Sequence, residues 1–438
     1  MPDHAVSSDP AVQAQLDRLA TLSPGADTLG LERITTLLAR LGDPHHALPP
    51  VFHVAGTNGK GSTCAFLRAA LEADGRSVHV FTSPHLVRFN ERIRLGGTLI
   101  TDHALAAYLE RVLDVAADVD ASFFEVTTAA AFLAFAEHSA DACIVEVGLG
   151  GRLDATNVIP TPAVCGIAQL GIDHQAFLGE TLIEIAAEKA GIAKSGAIVV
   201  TQRYPDAISD RVARVVADRG GTWMPMGSDW DAAVYRGRLH YRDHERISLP
   251  LPRLPGAHQA TNAALATAML RHQQALPVSE AALKAGPQWA QWPARLQRLE
   301  QGPLIAPLGG RRTIWLDGGH NAAAGEAVAS FFDNGRLDGS HLTLVMGMLA
   351  NKDLDAFLSP LRGKVAHLHA LPVPGHACHP ADRFGAVAAD WGIDFAAHQT
   401  LDQAIEAIGE QDDDGPVLIA GSLYLAGQVL ELNNQYPD

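Results

Sequence analysis

Residues 51–63 read VFHVAGTNGKGST, and this stretch decides the fold. Its first residues are mostly apolar and predict a buried strand, and residues 64–71 predict a helix that stops near Gly75. The glycine-rich turn between them places backbone N–H groups at a helix N-terminus, where they can bind an anion. Strand, turn and helix together therefore predict a phosphate-binding loop.

Polar side chains in this loop support the same interpretation. Lys60 supplies a positive charge for the outer phosphates of a nucleotide, and the hydroxyl of Ser62 or Thr63 can reach a metal ion. The spacing is G-x-x-G-K-G-S-T, shorter than the common G-x-x-x-x-G-K-[ST] loop. The competing interpretation is a glycine-rich turn of any α/β protein, but the lysine and the paired hydroxyls favour phosphate binding.

Length and composition limit the class of protein. The chain has 438 residues, too many for one ordinary core, so two domains are expected, or three. Hydrophobic residues make up 47% and charged residues 19%, which is typical of a globular protein. The formal charge of −16 argues against nucleic-acid binding but is compatible with small anionic substrates. We expect small-molecule substrates, no nucleic-acid or membrane partner, and a monomer.

The four cysteines predict a reducing environment. They show no C-x-x-C spacing, and three of them, Cys64, Cys143 and Cys165, lie in apolar stretches, whereas the fourth is Cys378. The first ten residues are polar and acidic and show no signal-peptide pattern. We therefore expect a cytoplasmic protein without a disulfide framework.

Strand and helix patterns alternate along the first two thirds of the chain. Further buried strands are predicted at residues 78–82, 143–147, 163–168 and 197–201, and helices at 12–22, 31–41, 105–115, 125–138, 182–190 and 259–273. Residues 222–250 look irregular or hairpin-like. This alternation is typical of an α/β fold with a doubly wound, largely parallel sheet.

The α/β pattern restarts after a boundary near residues 292–303. Strands are predicted at 313–316, 342–346, 364–370 and 416–420, and helices at 322–332 and 401–408. We therefore divide the chain into an N-terminal ATP-binding domain, residues 1–295, and a smaller Rossmann-like domain, residues 296–438.

Two of the predicted strands end in polar residues that could hold a metal. Glu146 lies near the end of the strand at 143–147, where a carboxylate beside a phosphate loop can bind magnesium. The alternative is an ion pair between Glu146 and Arg152. Ser83 and His85 follow the strand at 78–82, where active-site loops gather, although Pro84 also permits a plain turn there.

Other polar residues carry weaker signals. A lone histidine such as His174 is more often a satisfied surface or core group than a ligand. Lys189 lies at a helix end, and the sequence alone favours a solvated lysine there. Arg295 could be a plain linker arginine. Asp317 and His320 follow a strand and suit ligand binding or a capping turn.

A zinc site in the second domain is disfavoured by the sequence. His376, Cys378 and His379 share one loop, but no fourth ligand follows at a suitable spacing.

Two long motifs resemble those of a known family. Residues 53–62, HVAGTNGKGS, and 147–157, VGLGGRLDATN, resemble the motifs of the folylpolyglutamate synthases, which include bifunctional dihydrofolate synthase/folylpolyglutamate synthases and are related to the Mur ligases. The likeness extends over nearly the whole chain and includes LGLER at 29–33 and EKAG at 188–191. It implies a Mur ligase-like fold with a C-terminal glutamate ligase domain.

The resemblance implies how ATP and metal would be bound. The contacts to ATP would come from Thr57, Asn58, Gly59, Lys60, Gly61, Ser62, Asn262, Arg295 and Asp317. Two magnesium ions would be held by Ser83, Glu146 and His174. Lys189 would be carbamylated by CO2, and Lys60, Lys189 and His320 would be the catalytic residues.

The resemblance also implies a site for dihydropteroate along three stretches. These are Thr21, Leu22, Ser23 and Pro24; Ser122, Phe123, Phe124 and Glu125; and Leu153, Asp154 and Ala155.

The chain departs from the family pattern at two places. The family usually has D-x-A-H-N-P where residues 317–322 read DGGHNA, so Gly319 and Ala322 differ. Loss of the proline is expected to loosen the start of the following helix. Asn351 stands where the family often has aspartate, which leaves the role of position 351 in doubt.

The reaction implied is ATP-dependent amide ligation. L-glutamate would be joined to dihydropteroate, forming dihydrofolate, and to reduced folates, through an acyl phosphate. The alternatives are a monofunctional folylpolyglutamate synthase, another Mur-type amide ligase, or a P-loop ATPase that ligates nothing. The second α/β domain with Asp317 and His320 favours a ligase.

Overall fold

The computed structural model describes residues 5–22, 29–333, 335–337 and 339–438. The chain forms two compact units. The first unit runs to Arg253 and from Gln259 to Gln291, with Asp438, and the second comprises Leu254–His258 and Trp292–Pro437. Across the described ranges, no helix is both long and apolar enough to cross a membrane.

The first unit is built on an eight-stranded sheet. Its strands are β1 (Val51–Ala55), β2 (Val78–Phe81), β3 (Ile93–Leu95), β4 (Thr98–Leu99), β5 (Ala142–Glu146), β6 (Val164–Ile167), β7 (Ile198–Thr201) and β8 (Thr222–Pro225). The order is β4-β3-β2-β5-β1-β6-β7-β8, and all pairs are parallel except those that β3 makes. The predicted doubly wound, largely parallel sheet is confirmed.

Strand β1 occupies the middle of this sheet because it is apolar on both faces. All five of its residues are buried, and it pairs with β5 on one side and β6 on the other. The chain leaves β1 toward β2 on the β5 side and later crosses to β6 on the opposite side. Such a reversal opens a crevice at the carboxyl end of the strand, where ligands bind in α/β proteins.

Helices cover both faces of the sheet. They are α1 (Pro10–Thr21), α2 (Glu32–Arg40), α3 (Lys60–Ala73), α4 (Asp102–Asp114), α5 (Phe123–Glu137), α6 (Gln175–Leu178), α7 (Leu182–Ala190), α8 (Asp206–Asp218), α9 (Ala257–His272) and α10 (Glu280–Trp289). Helices α1, α2, α4 and α5 form one core with β2 and β5. Helices α7 and α8 form another with β6 and β7. The sequence patterns did not identify α8 or α10.

Residues 222–250 are more regular than the sequence indicates. Strand β8 joins the large sheet, and only the remainder forms the hairpin-like part, with strands β9 (Asp231–Tyr235), β10 (Arg238–Arg242) and β11 (Arg246–Pro250). These three strands are antiparallel. Asp243, next to β10, has a buried side chain that pairs with Arg271 of α9 at 2.6 Å, which anchors the small sheet.

The second unit contains a six-stranded sheet of order β12-β13-β17-β14-β15-β16. Its elements are β12 (Gln297–Leu299), β13 (Ile314–Leu316), α11 (Ala322–Asp333), β14 (Leu342–Met346), α12 (Leu354–Leu358), β15 (Val365–Ala370), α13 (Ala381–Trp391), β16 (Asp394–Ala397), α14 (Leu401–Gly409), β17 (Val417–Ala420) and α15 (Leu423–Leu432). All pairs are parallel except β12 with β13. The sequence patterns missed β16, α13 and α15.

Candidate active site

The loop after β1 is shaped by glycine and closed by a helix. Gly59 has a φ of +85°, and a side chain there would meet the Asn262 amide, whose Oδ1 lies 2.5 Å from the Cβ position. Helix α3 begins at Lys60, inside the loop and four residues before the predicted start. The Thr63 hydroxyl donates to the Gly59 carbonyl at 2.8 Å. The first turn of α3 therefore forms one wall of the loop.

Two lysines converge on one carbonyl oxygen in this loop. Lys60 Nζ donates to the Gly56 carbonyl at 3.1 Å, and Lys189 Nζ donates to the same oxygen at 3.0 Å. Lys189 reaches it from α7 and is only 5% exposed. The solvated lysine that the sequence alone favours is therefore wrong, because α7 packs against the sheet with this side chain inward.

The environment of Lys189 lowers its pKa from the ordinary value to about 7. Burial is the main cause, because it disfavours the charged ammonium. The positive charge of Lys60 lowers the pKa further, and the carboxylates of Asp173 and Asp154 oppose the shift. Near neutral pH this amine is therefore available in its neutral, nucleophilic form.

The proposed metal ligands follow neighbouring strands. Ser83 comes shortly after β2, Glu146 ends β5, and His174 lies beyond β6. These strands are parallel and lie on either side of β1, so their carboxyl ends share one edge of the sheet. Glu146 is only 4% exposed. The alternative partner Arg152 pairs instead with Glu188, Nε to Oε1 at 2.9 Å.

Within the described ranges, no group of three or more His, Cys, Asp or Glu side chains is arranged to hold a metal ion. This finding covers the loop of His376, Cys378 and His379. Glu146 and His174 would need the Ser83 hydroxyl and oxygens of a ligand to complete a coordination shell. The His174 side chain is 45% exposed, and its backbone has a φ of +53°.

Thr57 joins the phosphate loop to the segment that carries His174. Its hydroxyl donates to the Gly171 carbonyl and accepts the Gly171 N–H, both at 3.0 Å. Its own N–H donates to the Gln169 carbonyl at 2.7 Å. Because the Thr57 hydroxyl takes part in both hydrogen bonds, it fixes the phosphate loop against the segment that carries His174.

Both carboxylate oxygens of Asp154 accept hydrogen bonds from its own loop. Oδ1 accepts the Thr156 N–H and hydroxyl, and Oδ2 accepts the Leu149 N–H at 2.8 Å. The Thr156 hydroxyl lies 2.8 Å from His53 Nε2 of β1. Burial raises the pKa of Asp154 and lowers that of His53 to about 3, so His53 is neutral. This chain of bonds fixes residues 149–156, including Leu153 and Ala155, against the central strand.

The stretch at the start of α5 lies beside the same loop. The tip of the Phe124 ring abuts Gly148, where any side chain would clash with it. Ser122 and Glu125 form a capping box at the start of α5. Oε2 of Glu125 also pairs with Arg33 Nε at 3.0 Å.

The first of the three stretches predicted for dihydropteroate is only partly described by the structure. Thr21 ends α1, and its hydroxyl donates to the Arg18 backbone carbonyl at 2.6 Å. Leu22 packs on the core that includes Phe123. Ser23 and Pro24 lie outside the described residues.

Gln202, which was not predicted as a site residue, holds the side chain of Asn262 in place. Its Nε2 donates to Asn262 Oδ1 at 3.1 Å, and Asn262 Nδ2 donates to Gln259 Oε1 at 3.2 Å. Asn262 is thereby held against Gly59. A signal was present in the sequence, because Gln202 directly follows β7 and is a polar residue at the end of a parallel strand.

In the second unit, the predicted residues cluster after β13. Asp317 Oδ1 accepts the Gly319 N–H at 2.7 Å, and Oδ2 accepts the Leu296 N–H at 2.8 Å. His320 Nδ1 lies 3.1 Å from the Gly318 carbonyl, so this nitrogen carries a hydrogen.

His258 completes this cluster and was not predicted. Burial lowers its pKa, with Asp317 opposing the shift and Arg295 adding to it. Arg295 lies here as well. The cluster therefore holds a neutral imidazole beside a carboxylate and a guanidinium.

Helix α11 starts where it was expected despite the missing proline. It begins at Ala322, and the Asn321 side chain accepts the Ala324 N–H at 3.0 Å. The asparagine thus caps the first turn by satisfying a free N–H group.

These observations define a class before any particular family. A phosphate loop at the switch point of a doubly wound sheet, a buried lysine beside it and a second parallel α/β unit are features of a Mur ligase-like, ATP-dependent ligase. No family model matches the chain.

Three relatives identify the family. The chain is 36% identical over 423 residues to a folylpolyglutamate synthase of Lacticaseibacillus casei, covering 91% of this chain and 92% of that protein. It is 34% identical to the Escherichia coli dihydrofolate synthase/folylpolyglutamate synthase, covering 95% and 94%. It also matches a bifunctional folylpolyglutamate synthase/dihydrofolate synthase solved with Mn, AMPPNP and L-glutamate, with a TM-score of 0.83, 29% identity, and 97% and 99% coverage. The chain belongs to the folylpolyglutamate synthase/dihydrofolate synthase family of ADP-forming ligases.

The pair of hydrogen bonds between Thr57 and Gly171 leads to a testable prediction. Thr57→Val keeps the shape of the side chain but removes two hydrogen bonds, each worth about 1 kcal/mol. We expect kcat/KM for ATP to fall about tenfold or more, since about 1.4 kcal/mol corresponds to a factor of ten. Thr57→Ser retains the hydroxyl and serves as the matched control. Equal activity of the valine and serine variants in steady-state assays would contradict the role.

Proposed function

We propose that this chain joins L-glutamate to dihydropteroate, forming dihydrofolate, and to reduced folates, forming folylpolyglutamates, with ATP as the energy source. The observation that carries the proposal is the convergence of Lys60 and Lys189 on the Gly56 carbonyl, inside a phosphate loop. The names of the E. coli and L. casei relatives support the substrates.

The reaction proceeds in two transfers. A carboxylate oxygen of the pterin substrate attacks the γ-phosphorus of ATP, ADP leaves, and an acyl phosphate forms. The amine of glutamate then attacks the acyl carbon, the C–O bond to phosphate breaks, and the amine gives up a proton. Negative charge builds on the phosphoryl oxygens in the first transfer, and the Lys60 ammonium stabilises it electrostatically.

Ser83, Glu146 and His174 suit a divalent cation. Hydroxyl and carboxylate oxygens are the ligands that magnesium prefers, and the buried Glu146 carboxylate lies at the strand end beside the phosphate loop. The related structure that was solved with manganese and AMPPNP supports metal binding. We assign two magnesium ions to these residues, which would neutralise charge on the nucleotide phosphates.

Lys189 has the environment that carbamylation requires. The ammonium first loses one proton. The neutral amine then attacks the carbon of CO2, an N–C bond forms as one C–O π bond opens, and a second proton is released, so that a cation has become an anion. Lys60 then becomes a favourable neighbour instead of a repulsive one, because it faces a carbamate. We propose that this carbamate orients the metal ligands.

Residues of the second unit are also proposed to bind the nucleotide. Arg295 and Asp317, with Asn262 and the loop from Thr57 to Ser62 in the first unit, bind the nucleotide. We assign to the His320 side chain the proton that the glutamate amine releases.

Dihydropteroate binds along residues 21–24, 122–125 and 153–155. Phe124 supplies an aromatic ring beside the Gly148 backbone. Asp154 and Glu125 act by holding this site in shape, since their carboxylates are engaged with the protein.

A monofunctional folylpolyglutamate synthase is the second candidate, because the L. casei relative bears that name. The first test therefore offers dihydropteroate and tetrahydrofolate separately, with ATP and glutamate, and measures product and ADP. We expect both to be extended, and ADP release to require both a folate-type carboxylate and glutamate. Extension of tetrahydrofolate alone would establish the monofunctional candidate, and ADP release without either substrate would exclude a ligase.

The same assay tests the phosphate loop. Lys60→Ala is expected to reduce ligation at least a hundredfold, because the charge that stabilises the phosphoryl transfer is lost. The fold is expected to persist, since the Lys60 ammonium donates to the Gly56 and Thr57 carbonyls of its own loop and joins no salt bridge among the described residues. Lys284→Ala removes a surface lysine paired with Glu280 and should stay near normal. Near-normal turnover of Lys60→Ala at saturating ATP would remove the loop from the nucleotide site.

Glu146→Gln tests the metal assignment. It keeps the shape of the side chain but removes the charge, so we expect the magnesium concentration for half-maximal activity to rise about tenfold or more. Glu188→Gln, which breaks the exposed pair with Arg152, is the matched control and should leave the magnesium titration unchanged. An unchanged titration for Glu146→Gln would exclude this residue as a ligand.

Lys189 provides a pH-dependent prediction. With a pKa of about 7, about a tenth of the amine is neutral at pH 6 and about nine tenths at pH 8, so carbamylation should increase across this range. Native mass spectrometry in bicarbonate should show one added CO2 at pH 8 and less at pH 6. Lys189→Ala should lose activity, and acetate should restore part of it. A fully active Lys189→Ala, with unmodified lysine in the parent, would refute the carbamate.

A further inference from the structure

The small sheet of β9, β10 and β11 carries a concentration of arginines. Four of the eleven residues from 236 to 246 are arginines, whereas the whole chain has 33 lysines and arginines in 438 residues and a formal charge of −16. Positive charge is therefore gathered on this sheet of an acidic protein. Such a surface can attract an anion at short range, because salt screens exposed charges that lie more than about 8 Å away.

Strand alternation places the arginines on the outward face of the sheet. Leu239 and Tyr241 of β10 are buried, whereas Arg238 and Arg242 of the same strand are exposed. Arg246 of β11 is exposed as well and lies directly opposite Arg242. Like charges in directly opposite positions destabilise a sheet. An anion bound between these two arginines would relieve their repulsion.

The acidic residue of these three strands, Asp231, does not balance the charge. Its Oδ1 lies 3.2 Å from Arg203 Nη2, and its Oδ2 lies 3.3 Å from Arg242 Nη2. The two carboxylates of the turn between β10 and β11 pair instead with Arg271 of α9. An excess of positive charge therefore remains on the outward face. This basic face comprises Arg203, Asp231, Arg236, Arg238, Arg242 and Arg246.

Two of the guanidinium groups are held in place by the sheet itself. Arg238 Nε donates to the Ser248 hydroxyl at 2.6 Å, and its Nη2 donates to the Ser248 carbonyl at 2.9 Å. The Arg236 guanidinium lies 5.1 Å from the centroid of the Tyr235 ring, which is opposite Arg238. Ordering these groups in advance reduces the entropy lost when a ligand binds.

The spacing along β10 suits a linear chain of carboxylates. Residues on one face of an antiparallel strand repeat about every 6.8 Å, as Arg238, His240 and Arg242 do. Glutamates joined through their γ-carboxylates have five backbone bonds per unit, so an extended chain places one free α-carboxylate about every 6 Å. An extended α-linked chain instead turns successive carboxylates to opposite sides. The γ-linked chain therefore matches one carboxylate to each outward residue.

We propose that the basic face binds the poly-γ-glutamate tail of the product, with arginine guanidinium groups on successive α-carboxylates. The identity of the tail rests on the proposed function. Arginine suits this ligand, because its planar guanidinium donates two N–H groups to one carboxylate. The formal charge of the chain disfavours a nucleic acid, which becomes an outcome of the test.

The basic face is attached to the edge of the large sheet where the reaction is proposed. Arg203 directly follows Gln202, at the carboxyl end of β7, and β7 ends at the same edge as β1 and its phosphate loop. A tail bound there would keep the product on the enzyme between successive additions of glutamate, because a tethered ligand rebinds at a high effective concentration.

The test measures the Kd of fluorescein-labelled tetra-γ-glutamate for the full-length protein by fluorescence anisotropy, without ATP or pterin. The triple variant Arg238→Gln/Arg242→Gln/Arg246→Gln removes three charges from the basic face, so we expect its Kd to rise at least tenfold. An unchanged Kd would overturn the proposal. If circular dichroism shows that this variant does not fold, Arg242→Gln/Arg246→Gln replaces it and should raise the Kd at least threefold.

The matched control removes the same charge from α8 of the same unit. Arg211→Gln/Arg214→Gln/Arg219→Gln should change the Kd less than twofold. An equal loss of affinity in the two triple variants would overturn the proposal, because the attraction would then come from net charge alone.

Competing ligands test the chemistry of the occupant. Unlabelled tetra-γ-glutamate should compete at least fivefold better than tetra-α-glutamate, which has the same side-chain carboxylates at another spacing. Equal competition by the two peptides, or better competition by an oligothymidylate of equal charge, would overturn the proposal. Raising the salt concentration from about 0.05 M to about 0.5 M should weaken binding at least fivefold, and a Kd independent of salt would also overturn it.

Lys60→Ala separates this inference from the proposed reaction. Ligation is expected to fail in that variant, but tetra-γ-glutamate should bind to it as to the parent. Loss of binding in Lys60→Ala would locate the peptide at the phosphate loop and overturn the inference. Ligation by a parent protein that does not bind the peptide would overturn the inference while the ligase reaction stands. Binding without any ligation would refute the reaction and leave a γ-glutamyl-binding face.

Discussion

The site in the first unit depends on one oxygen atom, the Gly56 carbonyl, which accepts hydrogen bonds from the amino groups of two lysines. The crowding is built into the sheet: Gly56 has a φ of +151°, and a Cβ there would lie 2.9 Å from Cβ of Ala168, directly after β6. The backbone of β1 and β6 therefore fixes where this carbonyl points. Burial disfavours a charged Lys189, and the nearby positive charge of Lys60 adds to this effect, so the pKa of Lys189 is lowered to about 7. The sheet thereby sets the chemistry of the lysine.

The sequence predicts the parts of the site that follow from local pattern. Apolar runs identify the strands, and polar residues directly after them lie at one edge because parallel strands end together. Glu146 and the phosphate loop were predicted in this way. The burial of Lys189 could not be predicted, because a lysine at a helix end is usually exposed, and only the packing of α7 turns it inward. Gln202 had the same strand-end signal as Glu146 and was overlooked.

Other features leave no mark in the sequence. Ala294 and Leu296 have left-handed backbones, although neither is a glycine or an asparagine. Their backbones are hydrogen-bonded to Gly318 and Asp317, which lie more than 20 positions away in the sequence. Asp154 lies in a family motif and so suggests a ligand contact. The structure shows a carboxylate turned toward its own loop, which binds Thr156 and, through it, His53. Such long-range hydrogen bonds are set by tertiary packing and have no fixed spacing.

The distribution of thiols has a practical consequence. Cys64, Cys143 and Cys165 are fully buried, and burial raises the pKa of each, so they are protonated and shielded from reagents. Cys378, on the loop beyond β15, is the partly exposed cysteine. A maleimide dye added to the native protein would therefore attach in the second unit alone. The natural sequence is thus already suited to fluorescence experiments that follow this unit during turnover, without any engineered labelling position.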